Sequence, residues 1–533
     1  MSDASMPRIS TAPSGFYKGF NQTVSLTAKI LIGALILWAA LLPKQAGTVL
    51  AEIQSQTTSL FGAWYIYVTA FYLVTCLLLA LWPRSGSVRL GAKDDKPEFS
   101  RFSWFSMMFG AGIGIGMLTY STAEPIFHFA NNPDVIMGNA DALSENNVHY
   151  AYKWALLHYG LTPWGCYGIV GLALAYFSYN RGFPLTIRSA LHPILGKHTA
   201  GPIGNIVDIV AILATIIGVG VTIGYGVSQF AFGLHQITGA SWIIAANGKP
   251  ATTALLISLA VVMFASMLSA MSGVGRGIKW LSNINMALSM FLLAFFVFFG
   301  ATLFAFKEFF IGTFTYLINL PAMSVTVWGN QGTEVDQQLA TWQSNWSIFY
   351  WAWWIAFAPF VGLFLARVSR GRTVREYVLG AMIVPSLMCF TWFFLIGGTA
   401  VNLELTGVAK GAIVNADLSA QLYETINLML SPNFAILMSG VIVVLLLTYL
   451  VTSADSAILI INTITSGGDE SQKHVKHIII WSIILTSVVA ALLVAGGMDA
   501  LRSAMIIGAL PFSGVVALMA ISLMKALLFD KQT

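Results

Sequence analysis

The chain alternates between long apolar runs and short polar breaks, and the runs are too long for an aqueous core. Leu255–Leu268 and Ile478–Ala495 contain no charged residue at all. A helix crossing the hydrocarbon core needs about 20 apolar residues, whereas a membrane β-barrel would show short alternating segments. The pattern predicts spans near 25–46, 60–82, 102–128, 150–179, 203–234, 252–272, 281–311, 345–368, 375–398, 431–463, 475–496 and 501–527. The expected fold class is therefore all-α integral membrane, with about 12 transmembrane helices. Two external segments are longer than a turn, 312–344 and 399–430. The first carries Phe314, Tyr316, Trp328 and Trp342, and forms either an amphipathic surface helix or an ordered loop.

Composition sharpens this picture. Of 533 residues 57% are hydrophobic and 9% are charged, against roughly 25% charged in soluble domains. The net charge of +5 matters less than its placement. Lys and Arg gather in the breaks at 84–101, 181–197, 276–279, 367–375 and 473–476; with both tails on the same side, 21 of the 27 lie on one face of the membrane. The positive-inside rule then puts tails 1–24 and 528–533 in the cytoplasm, and the basic balance needs no nucleic-acid partner. The polar first 23 residues lack a cleavable apolar core, so the first run reads as a retained span. Cys76, Cys166 and Cys389 are isolated, which argues against a disulfide framework or zinc site. HExxH, GxSxG and P-loop patterns are absent; neither an enzyme nor a cofactor is expected, only a coupling cation.

Three spans depart from ordinary lipid-facing helices. Gly110, Gly112, Gly114 and Gly116 alternate inside the third span, followed by Glu124-Pro125. Each glycine weakens a helix by about 1 kcal/mol relative to alanine. Close helix packing would use them; an unwound segment would use them to offer backbone amides to an anion and carbonyls to Na⁺. Glu124 is either functional, as acids at membrane depth usually are, or a cap for the broken helix. The eighth span reads FYWAWWIAFAPF from Phe349 to Phe360. Phe349, Trp353 and Phe357 share one helical face, and Tyr350 and Trp354 the next. Tyr159, Trp164 and Tyr167 flank Pro163 in the fourth span. Single tryptophans belong at membrane interfaces, but this many rings at mid-span suit a quaternary ammonium, each desolvated cation–π contact being worth ~2 kcal/mol. In the tenth span Thr452 and Ser453 interrupt an apolar run. They either bond their own helix backbone or give a small cation two hard oxygens. Asp455 is expected to anchor a helix end or to pair near the cytoplasmic side rather than to contact substrate.

These segments resemble the betaine–choline–carnitine transporter family over nearly the whole chain. The resemblance rests on GAGIGIG with Thr122–Pro125 after it, PWGCY (Pro163–Tyr167), FYWAWWIAFAPFVG (Phe349–Gly362) leading into ARVSRGR (Ala366–Arg372), and TSADS (Thr452–Ser456). It implies two inverted five-helix repeats of the LeuT type, 102–311 and 345–527, after two peripheral helices in 25–82, with 312–344 outside. It also implies a homotrimer in a bacterial-type inner membrane, contacting membrane lipid. The family's central aromatic box would fall on Tyr159, Trp164, Tyr167 and Trp354, and an inner, cytoplasm-facing cluster on Phe349, Trp353 and Phe357. Gly112 and Gly114 would face the substrate. A main sodium site would use carbonyls near Gly110 and Ile113 with Thr452 and Ser453; a second would use Thr215 and Phe360. Val219 stands where that second site expects a hydroxyl. Choline carriers of the family have Asp where Gly116 stands here, so a zwitterion is expected: glycine betaine or dimethylsulfoniopropionate, ahead of choline or carnitine, with a cation channel as a remote alternative. The short tails lead to the expectation of uptake without strong osmotic activation.

Overall fold

The computed structural model describes residues 9–112, 114–272, 279–329, 332–469, 471 and 474–529. Ile113 and the extreme ends of both tails lie outside them. Seventeen helices matter for the site. They are α1 Gln22–Leu41, α2 Pro43–Leu81, α3 Arg101–Gly112, α4 Ile115–Ala130, α5 Val148–Tyr159, α6 Leu161–Ala175, α7 Pro202–Thr238, α8 Thr252–Ser272 and α9 Lys279–Phe299. After these come α10 Thr302–Met323, α11 Glu334–Gln343, α12 Phe349–Val368, α13 Val374–Trp392, α14 Gly398–Leu405, α15 Gln421–Met429, α16 Pro432–Thr465 and α17 Val475–Met524. No strand occurs among the described residues, only isolated bridges. Among the described residues eleven helical stretches are long and apolar enough to cross a membrane.

Local chemistry sets the boundaries. The Asn21 side chain accepts from the Val24 amide at the start of α1, and Thr373 accepts from the Glu376 amide at the start of α13. Proline, whose fixed φ suits a first turn, opens α2, α7 and α16. α17 is two helices joined at a kink, where Gly497 takes a φ of 65° that favours glycine. The expected spans 475–496 and 501–527 meet there.

Two expectations are changed by the backbone. The predicted span 281–311 ends at Phe299; a turn at Gly300–Ala301 starts the separate α10. The segment 312–344 is consequently the second half of α10, a loop and α11, and Trp328 and Trp342 turn inward to pack on one another with ring centroids 5.9 Å apart. Asp455 lies inside α16, not at its end, and of its two expected roles it takes the pairing one, accepting from the Ser269 hydroxyl of α8.

α12 runs through the middle of the bundle, between α6 and α7. Small residues let it approach both. A Cβ built on Gly171 would lie 2.9 Å from the Gly362 carbonyl oxygen, and one on Gly218 would lie 2.7 Å from the Ala356 Cβ. Both are closer than a side chain tolerates, so these glycines fix α12 in register. Wider π-helical turns at Ser344–Ile348 and Phe393–Gly397 adjust the approach of α12 and the end of α13 to the same region.

Candidate functional site

The glycine-rich third span is interrupted. α3 stops at Gly112, α4 starts at Ile115, and Gly114 between them is extended with φ −159° and ψ −157°. A Cβ on Gly114 would meet nothing within 4 Å, because Gly114 borders a cavity of about 740 Å³. Gly116 borders it too, and a Cβ there would lie 3.3 Å from Trp353 and 3.6 Å from the Tyr159 hydroxyl. Gly110 and Gly112 are helical backbone at the end of α3. Glu124 is well inside α4 and does not cap the break.

Four of the predicted rings come together against this break. Trp354 packs on Tyr167, Trp164 and Tyr159 with centroid separations of 4.6, 5.3 and 5.9 Å. Tyr159, Tyr167 and Trp354 reach the cavity wall, while Trp164 is fully buried behind them. Trp353 also lines the cavity, its indole Nε1 donating to the Thr222 hydroxyl at 3.0 Å. Phe357 and Phe360 line it further along α12.

Phe349 does not join them. It is 1% exposed and absent from the wall; its ring lies 5.5 Å from Trp353 and carries the Arg502 guanidinium at 4.3 Å. The expected trio Phe349–Trp353–Phe357 is thus divided by depth. Phe364, which the sequence reading missed, follows Phe357 and Phe360 toward Arg367 at the cavity's open end.

Thr452 and Ser453 of α16 face the cavity. The Thr452 hydroxyl donates to the Thr448 carbonyl at 3.0 Å and accepts from Asn285 Nδ2 at 3.1 Å. Thr215 is not on the wall: it is fully buried, donating to the Ala211 carbonyl of its own helix at 2.8 Å.

α9 supplies residues that sequence reasoning overlooked. Ser282, Asn285, Met286 and Ser289 occupy one helical face and border the cavity. Ser289 shares a hydrogen bond of 2.6 Å with the Tyr449 hydroxyl. Asn285 is buried and its Oδ1 has no hydrogen-bond partner, although a buried amide oxygen normally finds one. The signal was available as serines and asparagines at helical spacing within an apolar run.

The two ends of the cavity differ. One is closed by packed rings: Phe127 and His128 pack on Trp346 at 4.4 and 4.7 Å, and Trp154 packs on Trp342 at 5.0 Å. The other runs out past Phe364 to Arg367 and Val368, beside the basic breaks. There Arg370 donates to Asp95 at 2.9 Å, which holds that exposed carboxyl below the usual carboxylate range. Among the described residues the cavity wall carries no carboxylate.

Comparison with known proteins identifies the family. Residues 23–532 match the family model described as BCCT, betaine/carnitine/choline family transporter. A glycine betaine transporter of Bacillus subtilis, OpuD, is 37% identical over 499 residues, covering 93% of this chain and 92% of that protein. An ectoine/hydroxyectoine transporter of Virgibacillus pantothenticus is 35% identical, covering 95% and 96%. The osmo-dependent choline transporter BetT2 of Acinetobacter baylyi is 35% identical, covering 95% of this chain and 71% of its own length. An uninterrupted match of this extent leaves one assignment: the chain belongs to the betaine/carnitine/choline transporter family, and is a multi-pass membrane transporter and not an enzyme.

Proposed function

We propose that the protein takes up a net-neutral quaternary-ammonium or sulfonium zwitterion, glycine betaine or dimethylsulfoniopropionate, coupled to Na⁺ by alternating access. One observation carries this reading. The rings of Tyr159, Tyr167, Trp353 and Trp354 surround a cavity with no carboxylate among its described wall residues, beside the extended backbone at Gly114. A soft onium head is attracted to ring faces, and backbone amides of an interrupted helix suit its carboxylate. Choline, a net cation with no anionic group, would leave those amides unused. A relative's name as a glycine betaine transporter supports the same choice.

Sodium is assigned to the hydroxyls of Thr452 and Ser453, with carbonyls of the segment around Gly110 and Ile113. One inward Na⁺ at about −150 mV supplies ~3.5 kcal/mol, at about 2.3 kcal/mol per 100 mV. A tenfold Na⁺ gradient adds about 1.4 kcal/mol. Together these support roughly 10³–10⁴-fold accumulation of a neutral solute. The cavity opens beside the basic breaks, which supports an inward-facing conformation with both tails cytoplasmic in a bacterial-type inner membrane. The proposal includes the inverted repeats 102–311 and 345–527 and assembly as a homotrimer. Competition binding to the purified protein, with and without Na⁺, tests the central claim. Glycine betaine or the sulfonium compound should displace a bound onium ligand far better than choline does, and only with Na⁺. Preference for choline, or indifference to Na⁺, would overturn it.

A further inference from the structure

Beyond the cavity, at its sealed end, a second polar centre joins three segments. Glu124 and His128 lie one turn apart on α4, His158 lies in the last turn of α5, and Ser347 lies in the π-helical turn before α12. Glu124, His128 and His158 are fully buried, and their ligand-type atoms fall within 4.8 Å of one another. Glu124 Oε1 faces two ring nitrogens, Nδ1 of His158 and Nε2 of His128, the latter at 3.3 Å. Oε2 accepts from the Tyr350 hydroxyl at 2.6 Å, and Nε2 of His158 lies 2.9 Å from the Ser347 hydroxyl.

No Lys or Arg among the described residues reaches this carboxylate. On the same and neighbouring elements Lys153 is paired with Asp134 at 2.7 Å, and Lys307 lies beside Glu308 at 3.7 Å. Arg502 donates to the Asn345 carbonyl. Glu404 accepts the amides of Gly411, Ile413 and Val414, and Glu424 lies on α15. Tyr120, Tyr159 and Tyr350 are the neighbouring phenols. An ionised carboxylate buried among neutral donors alone costs several kcal/mol, and one added proton removes that charge.

The hydrogen bonds show where the proton can sit. His128 turns Nε2 toward Glu124, at 3.3 Å. His158 is different, because Ser347 can either donate to Nε2 or accept from it. His158 can therefore take a second proton without losing a bond, becoming an imidazolium that bridges Glu124 and Ser347.

We propose that Glu124, His128, His158 and Ser347 form a proton-binding site that locks the sealed end. The bound proton favours the sealed state, in which the centre is dry. Opening would part α4, α5 and α12, admit water, solvate the carboxylate and release the proton. The centre also communicates with the cavity: Tyr350 lies 3.5 Å from the Tyr159 hydroxyl, which donates to the Gly116 carbonyl.

Two measurements test this. The first rests on the transport reading: glycine betaine uptake into liposomes, with the sealed end outward, interior pH fixed and exterior pH varied from 8 to 5.5. KM should rise at least threefold on acidification; His158→Gln should flatten the profile, and Ser347→Ala should move it to lower pH. The second needs no substrate. Trp346 packs on both imidazoles, at 4.7 Å from His128 and 6.4 Å from His158, and an imidazolium quenches indole fluorescence. Acidifying the purified protein should quench a component that His158→Gln and Trp346→Phe each remove. A pH-independent KM, or quenching unchanged in His158→Gln, overturns the proposal. Absent uptake at every pH with the quenching intact would count against the assigned substrate and for the proton site.

Discussion

At the sealed end Trp342 packs on His128 and Trp346 on Tyr350 around a hydrogen-bonded carboxylate, whereas at the open end Phe357, Phe360 and Phe364 stand half-buried along the cavity wall. The first kind of closure is cooperative: Glu124, His158, Ser347 and Tyr350 share hydrogen bonds, so loosening one helix strands polar groups on the others, each costing roughly 1–3 kcal/mol if left dry. The second kind is local, because a phenylalanine on the wall can swing across the cavity without breaking a hydrogen bond. An alternating-access protein with these two ends would open the sealed one as a unit and close the other by stages. The ring cluster of Tyr159, Trp164, Tyr167 and Trp354 sits where the two regimes meet.

Trp354 occupies that junction, and its loss should have the largest effect. Trp354→Ala removes the ring on which Tyr159, Trp164 and Tyr167 all pack. One desolvated cation–π contact is worth ~2 kcal/mol, so the Kd for glycine betaine should rise about 30-fold in a calorimetric titration. Less than a threefold change would remove the onium from the cage. Gly116→Asp comes next. A side chain there must lie between Trp353 and the Tyr159 hydroxyl, placing a carboxylate where a net cation could use it. Competition binding should then favour choline over glycine betaine, by about tenfold relative to the native protein; unchanged order would show that position 116 does not face the ligand.

The family motifs made the cage legible in sequence, since the proline- and tryptophan-rich runs at 163–167 and 349–362 are short and local. The helix break was legible for a physical reason: four glycines in seven positions weaken a helix by about 1 kcal/mol each, although only Gly114 of the four leaves the helix. Depth was not legible. Phe349 and Phe357 share a helical face, but at 1.5 Å per residue they lie about 12 Å apart along the axis, and only one reaches the cavity. Pairings across the chain were equally hidden, because Glu124 and His158 sit on different helices and nothing local in either marks the other. Asn285 was overlooked although Ser282, Asn285 and Ser289 repeat at helical spacing, because no single one of them is unusual in an apolar run.

Asn285 sharpens the account of the open end. Its amide nitrogen holds the Thr452 hydroxyl while its oxygen has no partner, so the oxygen is free to meet a cation at Thr452 and Ser453. Asn285→Ala should raise the Na⁺ concentration for half-maximal uptake about fivefold and leave betaine affinity at saturating Na⁺ unchanged. The double variant Thr452→Ala, Ser453→Ala should abolish the Na⁺ dependence; an unaltered response in both variants would move the ion elsewhere.

The smallest effect is expected at Thr215, and it bears on whether the open end holds one ion or two. A second sodium would have to take a lone pair of the Thr215 hydroxyl, which is buried off the cavity wall and donates its proton to the Ala211 carbonyl at 2.8 Å, in a space that also reaches Phe360. It would also have to do so beside Gly218, which is pressed against Ala356 of α12, and next to Val219, which offers no oxygen. Thr215→Ala should therefore leave Na⁺ affinity within about twofold, since this hydroxyl does not border the cavity. The Na⁺ dependence of uptake should have a Hill coefficient near one, as expected for one coupling ion, in the native protein and in the variant alike. A coefficient near two that falls to one on this substitution would place a second ion behind the wall of α12 and square the attainable accumulation.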